Sequence, residues 1–202
     1  MPSSYSKFTI QDLNDLGIEV IEKPLFVSLN IPEKAPSDFL MATLERNQRR
    51  KLRSEKAKSE FIIAPILADL EEQNRGRFAF FSGYKFNVDA KKGLRGYCDY
   101  IFSAKPDAVV IEAPVFCVVE AKNDNLDNGI PQCIAELYAA HLFNKQKGKE
   151  QPAMYGAVTF GFEWKFIELA GQVAAVDTTT YYYTELPKVL GVLQYIINRV
   201  VV

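Results

Sequence analysis

Residues 115–123 read VFCVVEAKN, an apolar run that ends in Glu120, Ala121 and Lys122. Five consecutive apolar residues without polar alternation are typical of a strand that is buried on both faces of a sheet. Because side chains alternate along a strand, Glu120 and Lys122 point to one face and Ala121 points to the other. A carboxylate and an ammonium that leave a buried strand together indicate either a functional site or an ion pair at the sheet edge.

A second carboxylate lies upstream, in another predicted strand. Asp99 stands in RGYCDYIFS (residues 95–103), directly after Cys98. Burial of a carboxylate is costly without a partner, so Asp99 is expected either to accept backbone hydrogen bonds or to meet a cation. Carboxylate oxygens are the ligands that a hard cation prefers. Asp99 and Glu120 are therefore a candidate site for Mg²⁺ or Mn²⁺.

The remaining sequence predicts helices and strands around these two segments. Residues 37–73 have apolar side chains at helical spacing, with a kink or restart expected near Pro65. An Ala-rich helix is predicted over 132–148 and a C-terminal helix from about Leu186. Strands are predicted over 77–83, 84–89, 95–103, 108–122, 153–162, 163–171 and 172–179. This order predicts an α/β fold with a mixed β-sheet flanked by helices.

The length of 202 residues is consistent with one domain. Within it, residues 1–35 are expected to form an N-terminal arm, 37–180 the core and 184–202 the C-terminal helix. In the arm, a short helix is expected after Thr9, followed by an extended segment.

Several classes of protein are disfavoured by composition. The first ten residues, MPSSYSKFTI, lack the apolar stretch of a signal peptide, and the three cysteines have no CxxC spacing. Both features favour a cytoplasmic protein without a disulfide framework. The apolar C-terminal stretch is too short to cross a bilayer, so no membrane contact is expected. The single histidine, His141, excludes a site built on several histidines, and no phosphate-binding glycine motif is found.

The charge is polarised although the net charge is only −1. Between residues 46 and 58, seven basic side chains stand against the single acidic Glu55. Such a concentration on an otherwise acidic chain predicts either a solvated helix face or a surface that binds nucleic acid phosphates. The seven, called the basic segment below, are Arg46, Arg49, Arg50, Lys51, Arg53, Lys56 and Lys58.

The order of these features resembles the PD-(D/E)xK nuclease superfamily, in particular uncharacterised bacterial members and the nuclease domain of type I restriction subunits. The resemblance is carried by Asp99, by VVEAK (residues 118–122) on a buried strand and by Gln132 at the start of the next helix. The preceding SEFIIAPIL (residues 59–67) adds Glu60, which matches an acidic residue on the first core helix of many members. Cys98 replaces the proline of the motif. The resemblance covers about residues 55–170.

The resemblance implies a restriction-endonuclease-like core of order αβββαβ and Mg²⁺-dependent hydrolysis of phosphodiester bonds, with DNA as the expected partner. It implies that Asp99 and Glu120 hold the cation and that Lys122 orients the attacking water, helps to deprotonate it or stabilises the transition state. Gln132 would position water or phosphate. Glu60 would reach the metal through water or contact a second ion.

Other interpretations remain open at the level of sequence. Glu60 can be an ordinary exposed helical residue, and Glu136, one turn after Gln132, is expected to be solvated or paired. Trp164 is expected to pack in the sheet. The whole chain can instead be a catalytically silent module that binds nucleic acid, or a protein-interaction module that forms a homodimer through its C-terminal helix.

Overall fold

The computed structural model of the chain describes residues 2–200. Its eight strands form one mixed sheet. They are β1 (Glu19–Lys23), β2 (Ala79–Lys85), β3 (Tyr97–Ser103), β4 (Val115–Ala121), β5 (Met154–Thr159), β6 (Glu163–Ala170), β7 (Val173–Asp177) and β8 (Tyr181–Tyr182). Seven strands run in the order β1-β7-β6-β5-β4-β3-β2, and β8 pairs with β6. The predicted α/β fold with a mixed sheet is confirmed at this level.

Helices cover both faces of the sheet. They are α1 (Ile10–Asp15), α2 (Asp38–Gln48), α3 (Glu55–Lys58), α4 (Ala64–Glu72), α5 (Ile130–Gln146) and α6 (Leu186–Val200). Apolar side chains of α2, α4 and α6 share one core cluster, and those of α1 and α5 share a second cluster on the other face. The central strand β4 is buried along its whole length between the two, as its continuous apolar run predicts.

The long helical stretch is interrupted twice. α2 ends at Gln48, and a π-helical segment, Ser59–Ile63, leads into α4, which has Pro65 in its first turn. Proline removes the donor that would bond the carbonyl four residues earlier, and that carbonyl, Phe61 O, instead accepts from the side-chain amide of Asn47 at 2.9 Å. Near Pro65, where a kink or restart was expected, the helix continues from Glu55 to Glu72 and changes from π to α, whereas the break after Gln48 was not predicted.

Three predicted strands have different limits in the structure. The segments 77–83 and 84–89 supply a single strand, β2, which ends at Lys85. The apolar start of the 108–122 segment is a loop, and β4 begins only at Val115 because the pairing with β3 reaches no further than Ser103 and Val115. Val109 is 91% exposed. A β-branched run without a neighbouring strand does not form a strand, whatever its propensity.

The first 35 residues, expected to form an arm, contribute to the sheet and the core. β1 pairs in parallel with β7, and Tyr5, Phe8 and Leu13 are buried. The expected helix after Thr9 is present as α1, which begins with a capping box between Thr9 and Asp12. Apolar side chains near the N-terminus therefore pack in the same core cluster as those of β3, β4 and α5.

The apolar face of α6 is covered by the chain itself. Its residues Leu190, Leu193 and Ile197 are buried in the core beneath the sheet. The predicted homodimer through this face has no support from the structure, since the side chains that suggested it are already packed. Residues 201–202, the end of the predicted helix, lie outside the described residues. Among residues 2–200, no helix has both the length and the apolar character needed to cross a membrane.

Candidate active site

Strands β3 and β4 bring Asp99 and Glu120 together. The two strands are antiparallel, with Tyr100 opposite Val119 and Ile101 opposite Val118. The same register continued by one residue places Asp99 opposite Glu120, and opposed residues of antiparallel strands share a face of the sheet. Asp99 Oδ2 accepts a hydrogen bond from the backbone N–H of Ala121 at 2.8 Å. The two carboxyl groups thus lie side by side at the end of β4.

Lys122 reaches back over the same face. Its Nζ donates to Glu120 Oε1 at 2.6 Å and to Gln132 Oε1 at 3.0 Å. Its backbone N–H donates to Thr159 O at 2.7 Å, which extends the pairing of β4 with β5 by one residue and fixes where the side chain begins. The ion pair expected from the i, i+2 spacing is therefore present, and it is largely buried, with the Lys122 side chain 17% exposed.

Gln132 and Glu136 complete the cluster from helix α5. Gln132 Nε2 donates to Glu136 Oε1 at 3.0 Å, while its Oε1 accepts from Lys122. Glu136 was expected to be solvated or paired; it is fully buried and accepts from Gln132, so it is paired and not solvated. One sequence feature could have indicated this burial: Glu136 lies one turn after Gln132, and its neighbours Ala135 and Leu137 are apolar. The carboxyl cluster is defined here as Asp99, Glu120 and Glu136, with Lys122 as its cation.

Burial changes the pKa values of the side chains in this cluster. Desolvation raises the pKa of Asp99 and, more strongly, that of Glu120, to which the charges of Glu136 and Asp99 add. Desolvation likewise raises the pKa of Glu136 to about 8. For Lys122, burial lowers the pKa, but the nearby Glu120 outweighs it and the resulting pKa is raised. The ammonium is therefore charged at neutral pH, while the carboxyl groups resist carrying three negative charges together.

Two oxygen atoms of the cluster accept no hydrogen bond from an N–H or hydroxyl group, which leaves a proton shared between carboxyl groups as their available donor. They are Glu120 Oε2 and Glu136 Oε2, both buried. Three carboxylates and one ammonium would leave an uncompensated negative charge in a buried place, which is unfavourable unless protons or a cation neutralise it. Oxygen atoms in this setting suit a hard divalent cation. Among residues 2–200, however, no group of three or more His, Cys, Asp and Glu side chains is arranged to hold a metal ion, so the cation fit rests on the pair Asp99 and Glu120.

Glu60 is set apart from the cluster. Its side chain is 53% exposed and pairs with Lys56, one helical turn away, at 3.7 Å. Within residues 2–200, no hydrogen bond or ion pair joins it to Asp99 or Glu120. The predicted contribution of Glu60 to metal binding remains a prediction, and direct coordination beside those two carboxylates has no support from its contacts.

The basic segment spans more than one helix, so its side chains do not lie on a single helix face. It covers the end of α2, the link after it and α3. Two of its members pair with neighbouring acids, Arg49 with Glu45 and Lys56 with Glu60, both at 3.7 Å. Lys58 lies closest to the cluster, because its Nζ donates to the carbonyl oxygen of Asn123, the residue after Lys122.

Comparison with known proteins finds no protein-family model that matches the chain and no curated protein with significant sequence similarity. The interpretation of the site therefore rests on its own geometry and charge.

A close approach at the start of α5 holds the Lys122 side chain in place. A Cβ on Gly129 would lie 2.4 Å from Val158 Cγ1 and 3.0 Å from Lys122 Cγ. We therefore expect Gly129→Ala to destabilise the fold by about 1–3 kcal/mol and to move Lys122 away from Glu120. Urea unfolding measures the first effect. The exposed Asn128→Ala is the matched control, and equal stability of Gly129→Ala and the native chain would contradict the packing described.

Proposed function

We propose that the chain is a Mg²⁺-dependent nuclease that hydrolyses phosphodiester bonds in DNA at the carboxyl cluster. One observation carries the proposal: Asp99 and Glu120 lie side by side with Lys122, while a buried oxygen of Glu120 accepts from no N–H or hydroxyl group. Structural ion pairs seldom leave a buried carboxylate oxygen unpartnered. A site for a cation and a phosphate gives that oxygen a role.

The resemblance to the PD-(D/E)xK superfamily supports the same proposal. Its core order αβββαβ matches α4, β2, β3, β4, α5 and β5 of this chain. In this interpretation the sheet is restriction-endonuclease-like, Asp99 comes from its second core strand and Glu120 and Lys122 from its third. Gln132 enters from the following helix, as the resemblance implies.

The roles follow from the contacts of each residue. Asp99 and Glu120 would hold the cation, which when bound lowers the pKa of a coordinated water and stabilises negative charge on phosphate oxygens. Lys122 is positioned by Glu120 and by Gln132, so its ammonium can donate to the attacking water or to a phosphate oxygen. Glu136 orients the Gln132 amide, because it accepts from Nε2 and leaves Oε1 to face Lys122.

The basic segment gives the site a place for the DNA backbone. Arg46, Lys51 and Arg53 are exposed, and none of the three has an ion pair or hydrogen bond from its side chain within the described part of the chain. Lys58 connects this surface to the loop after Lys122. Cations next to a carboxyl cluster can hold flanking phosphates while the cleaved bond lies at the cluster.

The test is the cleavage of labelled DNA with and without Mg²⁺, compared between the native chain and variants in Asp99, Glu120 and Lys122. The proposal requires cleavage that depends on the cation and on all three side chains. Unchanged cleavage in all three variants would mean that the activity comes from another site or another protein.

A second function, the binding of nucleic acid without cleavage, is favoured by one finding. In the described part of the chain, the acidic and sulfur- or imidazole-bearing side chains form no group of three that could hold a metal. This alternative predicts salt-sensitive binding through the basic segment and no turnover with Mg²⁺. The cleavage assay separates the two functions.

A further inference from the structure

Three aromatic side chains form a continuous row beside the candidate active site. Phe160 and Phe162 flank Gly161 in the loop between β5 and β6, with ring centroids 6.4 Å apart. Phe162 meets Tyr183 edge to face at 5.8 Å, and the backbone N–H of Tyr183 donates to Phe162 O. Phe160, Phe162 and Tyr183 are called the aromatic row below. The sequence pattern had placed the two phenylalanines in a strand.

The row begins one residue after Thr159, which pairs with Lys122 through the backbone. Phe160 follows Thr159, whose carbonyl oxygen accepts from the backbone N–H of Lys122 at 2.7 Å. The ammonium of Lys58 lies 5.3 Å from the centre of the Phe160 ring and also donates to Asn123 O. One lysine therefore contacts both the first ring of the row and the loop that follows the Glu-x-Lys strand.

The row then runs alongside the basic segment. At its far end, Gln48 Nε2 donates to the hydroxyl oxygen of Tyr183 at 3.0 Å, and Gln48 is the last residue of α2, between Arg46 and Arg49. Nearby, the guanidinium of Arg50 lies 4.6 Å from the centre of the Phe61 ring. The basic segment thus contacts the row at two points, through Lys58 at Phe160 and through Gln48, which lies between Arg46 and Arg49, at Tyr183.

Part of the row is open to solvent although its residue types favour burial. Phe162 is 37% exposed. The only tryptophan of the chain, Trp164, lies two residues later and is buried in the sheet, as its sequence setting predicts. Trp164 is therefore packed in the core, while the Phe162 ring lies at the surface. Gly161 between the two rings has a φ of +92° and is packed against Ile62, which holds the loop in this shape.

We propose that the substrate of the candidate nuclease is single-stranded DNA, whose unpaired bases stack on the aromatic row while the basic segment contacts its phosphates. The proposal rests on the nuclease function inferred above. An exposed ring such as Phe162, with half-buried rings and cations beside it, suits a single strand, because every unpaired base offers a flat face and every nucleotide a phosphate. In a duplex the bases stack on one another and those faces are not accessible. Duplex DNA would therefore bind through the basic side chains alone.

The experiment measures binding without divalent cations, so that cleavage plays no part. Fluorescence anisotropy compares a labelled 20-nucleotide single strand with the duplex of the same sequence, for the native chain and for Phe162→Ala. We expect the native chain to bind the single strand more tightly than the duplex. The substitution should weaken single-strand binding by about tenfold and leave duplex binding unchanged.

Three further variants control for folding and for general loss of apolar surface. Phe162→Leu keeps apolar contact with Tyr183 but lacks a ring, so it should bind the single strand as weakly as Phe162→Ala. Phe162→Trp keeps a ring and should bind like the native chain. Phe39→Ala removes a phenylalanine that is 82% exposed on α2 outside the row, and it should bind like the native chain.

Tighter binding of the duplex, or equal single-strand binding by the native chain, Phe162→Ala and Phe162→Leu, would overturn this inference and leave the nuclease proposal standing. Conversely, tighter binding of the single strand that depends on the Phe162 ring would stand even if the cleavage assay finds no nuclease. The two proposals can therefore fail separately.

Discussion

Replacement of Glu120 by glutamine is expected to slow Mg²⁺-dependent cleavage of DNA by roughly 100- to 10,000-fold. Glutamine keeps the size of the side chain and can still accept from Lys122, so the packing around β4 is preserved. It removes the negative charge that would hold the cation with Asp99. The rate of cleavage of a labelled strand at fixed Mg²⁺ is the measurement.

The matched control is Glu72→Gln, which makes the same chemical change at an exposed carboxylate that pairs with Arg75 outside the cluster. Its cleavage rate should stay within a few-fold of the native rate, since surface ion pairs contribute little. Thermal unfolding without metal should show that Glu120→Gln is folded. Fast cleavage by Glu120→Gln would locate the cation away from Asp99 and Glu120.

Without divalent cations, the chain is expected to lose stability as the pH rises from about 5 to 8. The pKa of Glu136 is raised from 4.5 to about 8 by burial, so between these values the folded chain holds a proton that the unfolded chain has released. The stabilisation from this group is complete below the unfolded pKa and disappears as the pH passes through the folded pKa. The expected slope is roughly 1 kcal/mol per pH unit.

Urea unfolding of the native chain and of Glu136→Gln at several pH values isolates this effect. Glutamine does not titrate, so the free energy of unfolding of the variant should fall less steeply with pH than that of the native chain. A difference between the two that stays constant from pH 5 to pH 8 would contradict the burial of an ionisable Glu136. Addition of Mg²⁺ should stabilise the native chain more at pH 8 than at pH 5, because a cation replaces the protons of the cluster.

The central part of the fold could be predicted from the sequence because the patterns that specify it involve only neighbouring residues. The run before Glu120 is long enough and apolar enough to specify a strand buried on both faces. The alternation of side chains then places Glu120 and Lys122 on one face, and the structure joins their side chains. Thr9 and Leu186 likewise mark the start of α1 and of α6, since caps and helical spacing act over a few residues.

The features that sequence reasoning missed depend on what packs against a segment. Helix α5 contacts β4 and β5 and is buried on most sides. Its sequence therefore lacks a polar face that would show the orientation of the helix. For this reason the burial of Glu136 is not evident from the sequence. Val109 has the β-branched side chain of a strand residue but no neighbouring strand to pair with. Phe160 and Phe162 continue the apolar pattern of β5, yet the turn at Gly161 takes both out of the strand.

The most direct test of the account is a calorimetric titration of the native chain with Mg²⁺ and with Mn²⁺, repeated with Glu120→Gln and Glu72→Gln. The account predicts saturable binding of the cation to the native chain and to Glu72→Gln, and its loss in Glu120→Gln. Binding that is unchanged in Glu120→Gln, or no binding by the native chain, would contradict a cation site between Asp99 and Glu120.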